Sequence, residues 1–166
     1  MRPNTIVYTS NTGHTAEYAR LLSERTGLPL WSLDEAVKQL KGGAPILYLG
    51  WLRMNKVSGY REAAKRFSIC AVCGVGLCDT GSMLDEARKA ISLPKEIPLF
   101  TLQGGMDRSK LKGFDQMAIT MLTKGLAAQK QRSAQDERIL ELLESGTDGV
   151  REENLARVLS WYEQMT

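Results

Sequence analysis

Thr9-Ser10-Asn11-Thr12-Gly13-His14-Thr15 stands between a short β-rich run, Thr5-Ile6-Val7-Tyr8-Thr9, and a helical pattern that opens at Ala16 and continues to Arg25. A polar loop joining a strand to a helix N-terminus is where an anion is bound most cheaply. The first turn of the helix offers unpaired N–H groups and the positive end of its dipole. Ser10, Thr12 and Thr15 add hydroxyl groups, Asn11 an amide, and Gly13 lets the backbone come close. No basic residue other than His14 lies in the loop, so hydroxyls and backbone would do the holding, which suits a phosphate monoester retained as a cofactor. A capped strand–helix turn would use the same residue types, since Ser, Asn and Thr are good caps. There is no G-x-G-x-x-G after this strand, and no G-x-x-x-x-G-K-[ST] for a nucleoside triphosphate.

The rest of the chain repeats the strand-then-helix alternation. Apolar runs at Leu28–Leu33, Ala44–Leu49, Ser68–Val75 and Ile97–Leu102 alternate with helical patterns at Asp34–Leu40, Gly59–Phe67 and Ser82–Ile91. Near-continuous apolar strands are those of a parallel sheet covered on both faces, so the pattern predicts an α/β fold with helices on each side. Beyond Gly104-Gly105, the residues Phe114, Met117, Ala118, Met121 and Leu122 fall at helical spacing. A polar stretch, Gln129–Gln135, precedes a helical segment at Arg138–Leu143. A loop at Ser145–Gly149 then leads into a last helix over Glu152–Met165. No internal repeat or low-complexity tract interrupts the 166 residues, which are read as one domain over 1–166.

Composition narrows the function. With 43% apolar and 25% charged residues the chain is ordinary globular material, and its net charge of +3 (22 basic, 19 acidic) gives no footprint of a nucleic-acid binder. No apolar run approaches the roughly 20 residues of a membrane span and no secretion signal is evident, so a cytoplasmic protein is expected. Cys70, Cys73 and Cys78 are read as free thiols, the first two buried on a strand. Positions 70 and 73 face opposite sides of a strand and cannot readily share a metal, and a single histidine gives no multi-histidine site; no metal is expected.

Ser10-Asn11-Thr12-Gly13-His14-Thr15 resembles the [ST]-x-T-G-x-T phosphate loop of flavodoxins, in the place that family puts it. Ile46–Trp51 resembles their third strand running into a flavin-flanking loop, and Cys70–Leu77 their fourth strand and its loop. The short branch that includes the menaquinone-dependent protoporphyrinogen oxidases is closer still. Gly50-Trp51-Leu52-Arg53-Met54 with Tyr60–Phe67, and Gly104–Leu111 with Phe114–Leu122, are similar to its segments. The resemblance implies a three-layer flavodoxin-like fold whose five-stranded parallel sheet has the order 2-1-3-4-5. It also implies non-covalent FMN, with the phosphate on Ser10, Asn11, Thr12, Gly13, His14 and Thr15. The ring would lie between Gly50, Trp51, Leu52, Arg53 and Met54 on one side and Gly74, Val75 and Gly76 on the other, with Trp51 as stacking partner.

Around that ring position the chain is basic. Arg53, Lys56, Arg61, Lys65 and Arg66 face only Glu62 within residues 51–66, and Arg108, Lys110 and Lys112 follow the fifth strand. Positive charge stabilises an anionic reduced flavin, which favours an oxidoreductase over a very-low-potential shuttle. Arg53 and Arg108 are the expected contacts for an acidic substrate, such as porphyrin propionates, or for an acidic partner. No catalytic acid or base is expected, because the cofactor carries the redox chemistry. The expected function is therefore an FMN-dependent oxidoreductase acting on a porphyrinogen or quinone-linked substrate. A one-electron carrier with a protein redox partner and a flavodoxin-like module without cofactor are the alternatives. Packing of the Phe114–Leu126 helix on the sheet is expected in preference to contact with a membrane surface.

Overall fold

The computed structural model describes residues 1–146 and 148–165; Thr147, within the loop expected at Ser145–Gly149, lies outside them, as does Thr166. The chain forms β1 (Thr5–Thr9), α1 (His14–Thr26), β2 (Leu30–Ser32), α2 (Leu33–Gln39), β3 (Pro45–Arg53), β4 (Lys56–Val57) and α3 (Tyr60–Arg66). It continues with β5 (Ser68–Gly76), α4 (Leu84–Ile91), β6 (Leu99–Gln103), α5 (Gly113–Ala128), α6 (Ala134–Ser145) and α7 (Ala156–Glu163). The fold is α/β. Parallel strands are paired in the order β2-β1-β3-β5-β6, and β4 is an antiparallel addition to β3.

Side-chain alternation along the strands builds two cores. Val7, Ile46, Tyr48, Val72 and Leu99 point to one face, where Leu33 and Ala36 of α2, Ala63 of α3 and Ile91 of α4 cover them. Ile6, Leu47, Leu49, Cys73, Val75 and Leu102 point to the other and meet Tyr18, Ala19 and Leu22 of α1 and Val158 of α7. Each fully buried Leu or Ile contributes about 1.5–3 kcal/mol, so the sheet is held from both sides. Local signals set the helix ends. Ser32 and Glu35 form a capping box that starts α2, and Gly27 at φ 72° closes α1 with its N–H on the Ser23 carbonyl.

Three expectations are corrected. The sheet gains a sixth strand, because the turn after β3 is a two-residue hairpin in which Met54 and Asn55 both take positive φ (49° and 64°). Gly50 to Arg53, expected as a loop, are therefore strand. The last helix is preceded by a 3₁₀ turn, Glu152–Leu155, and runs only from Ala156 to Glu163. Finally, α5 packs on α6 instead of across the sheet. Met106, Leu111, Leu126, Leu140 and Leu143 make a third core between them, since the other helices already cover both sheet faces.

The α5–α6 hairpin leaves and rejoins the fold at one point. Gly105 pairs antiparallel with Asp148, and the Gly149 N–H donates to the Gly104 carbonyl at 2.9 Å. A Cβ on Gly149 would lie 2.5 Å from that carbonyl, so only glycine closes this stem. Tyr18 reinforces it. Its hydroxyl donates to the Gln103 carbonyl and accepts from Asn154 Nδ2 at 2.7 Å, and burial raises its pKa above the ordinary tyrosine range. Among the described residues no helix is long and apolar enough to cross a membrane.

Candidate functional site

The carboxyl ends of the parallel strands converge on the loop Ser10–Thr15. From β1 the chain turns one way to β2 and later returns on the other side as β3, so the loop lies at the crevice where strand order reverses. In open α/β sheets that crevice is where ligands bind. Gly13 at φ 103° turns the chain into α1, and a Cβ there would meet nothing within 4 Å. The Ser10 hydroxyl accepts from the Ala16 N–H at 3.3 Å, while Thr12 Oγ1 and His14 Nδ1 are 3.0 Å apart. Thr15 is buried at the helix start. The first i→i−4 bond of α1 runs from Glu17 to Gly13, so the amides of His14 and Thr15 precede the helical ladder.

Beside this loop opens a cleft of about 640 Å³ lined by Thr12, Gly13 and His14 on one wall and by Met106 to Lys110 and the Asp148 region on the other. The second wall is the stem of the α5–α6 hairpin. Its acids are already engaged. Ser109 donates to Asp107 from both its amide and its hydroxyl, holding that carboxyl below its usual range, and Lys110 lies 3.7 Å from it. Asp148 is 4.0 Å from His14 Nε2, and Glu17 is paired with Arg20. Arg108 is exposed, and among the described residues no carboxylate lies within 4.0 Å of it. The cleft therefore joins a hydroxyl-bearing loop at a helix N-terminus to an exposed guanidinium.

The expected ring-side residues are placed differently. Trp51 and Arg53 point to the α1 side of β3, and the Arg53 guanidinium lies 5.9 Å from the centre of the Trp51 ring and 4.9 Å from that of Phe114. Arg53 also pairs with Asp115 at 2.9 Å. The space above Gly74 and Gly76 is filled by Leu52, whose methyl carbons would lie 3.0 and 2.9 Å from added Cβ atoms, and that above Gly50 by Val57 and Ser58. Gly50 is thus required by the close backbone of Ser58, while Gly74 and Gly76 make room for the Leu52 side chain. Val75 is core, and Met54 is exposed at the hairpin turn. The cleft brings Thr12, Gly13 and His14 together with Arg108 but does not include Arg53.

Sequence reading missed Glu17, Asp107 and Asp148 as cleft residues and gave Lys110 only as part of the basic run after the fifth strand. The pair Gly104-Gly105 and the later Gly149 were the available signal of a stem, but their pairing is long-range. All three thiols are free, and burial raises the pKa of each, which suppresses the reactive thiolate. Among the described residues no three His, Cys, Asp or Glu side chains gather as they would around a metal ion. Comparison of this chain with protein-family models, with curated proteins and with solved structures finds no match.

Proposed function

We propose that this chain is a flavodoxin-like protein that binds FMN non-covalently and transfers reducing equivalents as an oxidoreductase. The observation that carries the reading is the position of Ser10–Thr15, a hydroxyl-rich loop at the crevice between β1 and β3, opening on a cleft that holds Arg108. With the hairpin strand β4 set aside, the strand order is the one a flavodoxin-like sheet requires. What supports the phosphate end of FMN is the run of hydroxyl side chains Ser10, Thr12 and Thr15 at the start of α1, the amides that precede its ladder, and the open space over Gly13. Bound FMN would supply the redox chemistry. The chain would hold the phosphate through Ser10, Thr12 and Thr15, and Arg108 would meet the acidic groups of a substrate such as a porphyrinogen, or an acidic partner.

The ring end favours a second reading, a flavodoxin-like module that works without flavin. Leu52 lies over Gly74 and Gly76, and Arg53 lies between Trp51 and Phe114, so a ring seated there requires these side chains to move.

Titration of FMN fluorescence with the purified chain separates the two. Saturable quenching that is strongly weakened by Thr12→Ala and by replacing FMN with riboflavin, which lacks the phosphate, supports the flavoprotein. Fluorescence unchanged at every protein concentration leaves the cofactor-free module. If FMN binds, reduction in two separate one-electron steps would indicate a carrier with a protein partner instead of an oxidoreductase.

A further inference from the structure

Outside the candidate site, the most unusual surface is the outer side of α5. Phe114, Met117, Met121 and Leu122 are 67%, 55%, 68% and 48% exposed, at i, i+3, i+7 and i+8. A helix of a water-soluble fold normally turns such a stripe inward, and α5 does turn a different side, with Ile119 and Leu126, onto α6. The helix is thus apolar on two sides and only one of them is covered. Met54, 88% exposed at the β3–β4 turn, belongs to the same region, because its neighbour Arg53 contacts Phe114.

Charge identifies what covers the stripe. Lys110, Lys112, Lys124 and Lys130 lie along or beside α5 and are exposed. The single acid within α5, Asp115, is neutralised by Arg53. The other acids of the hairpin are Asp107, which lies 3.7 Å from Lys110, Asp148 in the stem, and Asp136, Glu137, Glu141 and Glu144 in α6, so Lys112, Lys124 and Lys130 carry the charge beside the stripe. Phenylalanine, leucine and methionine flanked by lysines match a bilayer with anionic headgroups: apolar side chains enter the acyl boundary while the ammonium groups stay at the phosphates. A symmetric contact between two copies through α5 would instead bring lysine rows together.

We infer that the α5 face, with Met54 beside it, docks the protein peripherally on an anionic lipid surface. The inference does not depend on flavin binding. Four apolar anchors supply the insertion, and each lysine near the surface strengthens attraction severalfold.

Co-sedimentation of the full chain with phosphatidylcholine vesicles, with and without phosphatidylserine, tests this. Binding is expected to the phosphatidylserine vesicles and to fall as salt is raised. It should drop about tenfold or more in a Lys112→Glu, Lys124→Glu double variant. A Met117→Ser, Met121→Ser variant should lose binding while keeping its circular dichroism spectrum, since both side chains are exposed. No binding to the anionic vesicles overturns the inference. So does concentration-dependent dimerisation that the methionine substitutions abolish, which would assign the face to a second copy.

Discussion

Arg53, the last residue of β3, is 2.9 Å from Asp115 in the first turn of α5, and this ion pair links the end of the central strand to the helical hairpin built outside the sheet. Both side chains are partly exposed (40% and 28%), so the Coulombic part is screened and is worth about 0.5–1 kcal/mol. Stacking of the guanidinium on Phe114 adds a similar amount. Arg53→Ala is therefore expected to lower stability by only about 1–2 kcal/mol, felt locally. Hydrogen exchange of the α5 amides should speed up while those of β3 and β5 keep their protection. Unchanged α5 exchange would show that the hairpin is held by its own core alone.

The proposed role of the Ser10–Thr15 loop in holding a phosphate makes a sharper prediction. A hydroxyl donating to a phosphate is a hydrogen bond to a charged group, worth about 1.5–3 kcal/mol. Thr12→Ala should weaken FMN roughly ten- to a hundredfold with little change in melting temperature. Ser10→Ala should weaken binding and also cost about 1 kcal/mol of stability, because Ser10 caps the Ala16 amide. Arg108→Ala should alter turnover of an acidic substrate more than FMN affinity. Fluorescence titration and thermal unfolding of the same variants separate these effects.

How far the sequence could be read is set by the range of each interaction. The β1 span Thr5–Thr9 and the loop after it were legible because alternation, turn chemistry and cap residues are local. The extent of β3 was not. Gly50 looks like a terminator, yet it stands inside the strand because the returning chain at Val57 and Ser58 occupies the place of a Cβ. Gly74 and Gly76 were noticed for the same lack of a side chain, while the reason, Leu52 on the neighbouring strand, is invisible in their own segment. In the site, Thr12 to His14 and Arg108 were legible by residue type. Asp148 was not, since it reaches His14 only through the Gly105–Asp148 pairing across the whole hairpin.

Two glycines distinguish constraint from tolerance. Gly59 has φ 75°, and a Cβ there would press on Thr9 Oγ1 at 2.6 Å, on the Tyr48 hydroxyl and on Leu33 at 3.1 Å. Gly59→Ala should cost about 3 kcal/mol or more, combining left-handed strain with overpacking. Gly125, inside α5, would meet nothing within 4 Å. Gly125→Ala should stabilise by about 0.5–1 kcal/mol through helix propensity. Urea unfolding of both variants measures the contrast, and equal effects would contradict it.

Burial of Tyr48 predicts the alkaline limit of the fold. Its hydroxyl donates to the Ser58 carbonyl at 2.7 Å and lies 2.8 Å from Thr9 Oγ1, and desolvation drives its pKa far above the ordinary value of 10.0. Tyr18, Tyr60 and the three cysteines shift the same way, again chiefly by burial. In the native state these groups ionise at higher pH than in the unfolded chain, where the thiols ionise near 9.0 and the phenols near 10.0. Above those values the unfolded state binds fewer protons, so its free energy falls relative to the native state. Stability contributed by these groups is thus complete below about pH 8 and is lost as pH rises, Tyr48 alone accounting for about 1.4 kcal/mol at about pH 11. Tyr48→Phe should lower the urea midpoint near neutral pH by removing two hydrogen bonds, yet show a shallower decline above about pH 10. Parallel declines in the two proteins would place the alkaline sensitivity elsewhere.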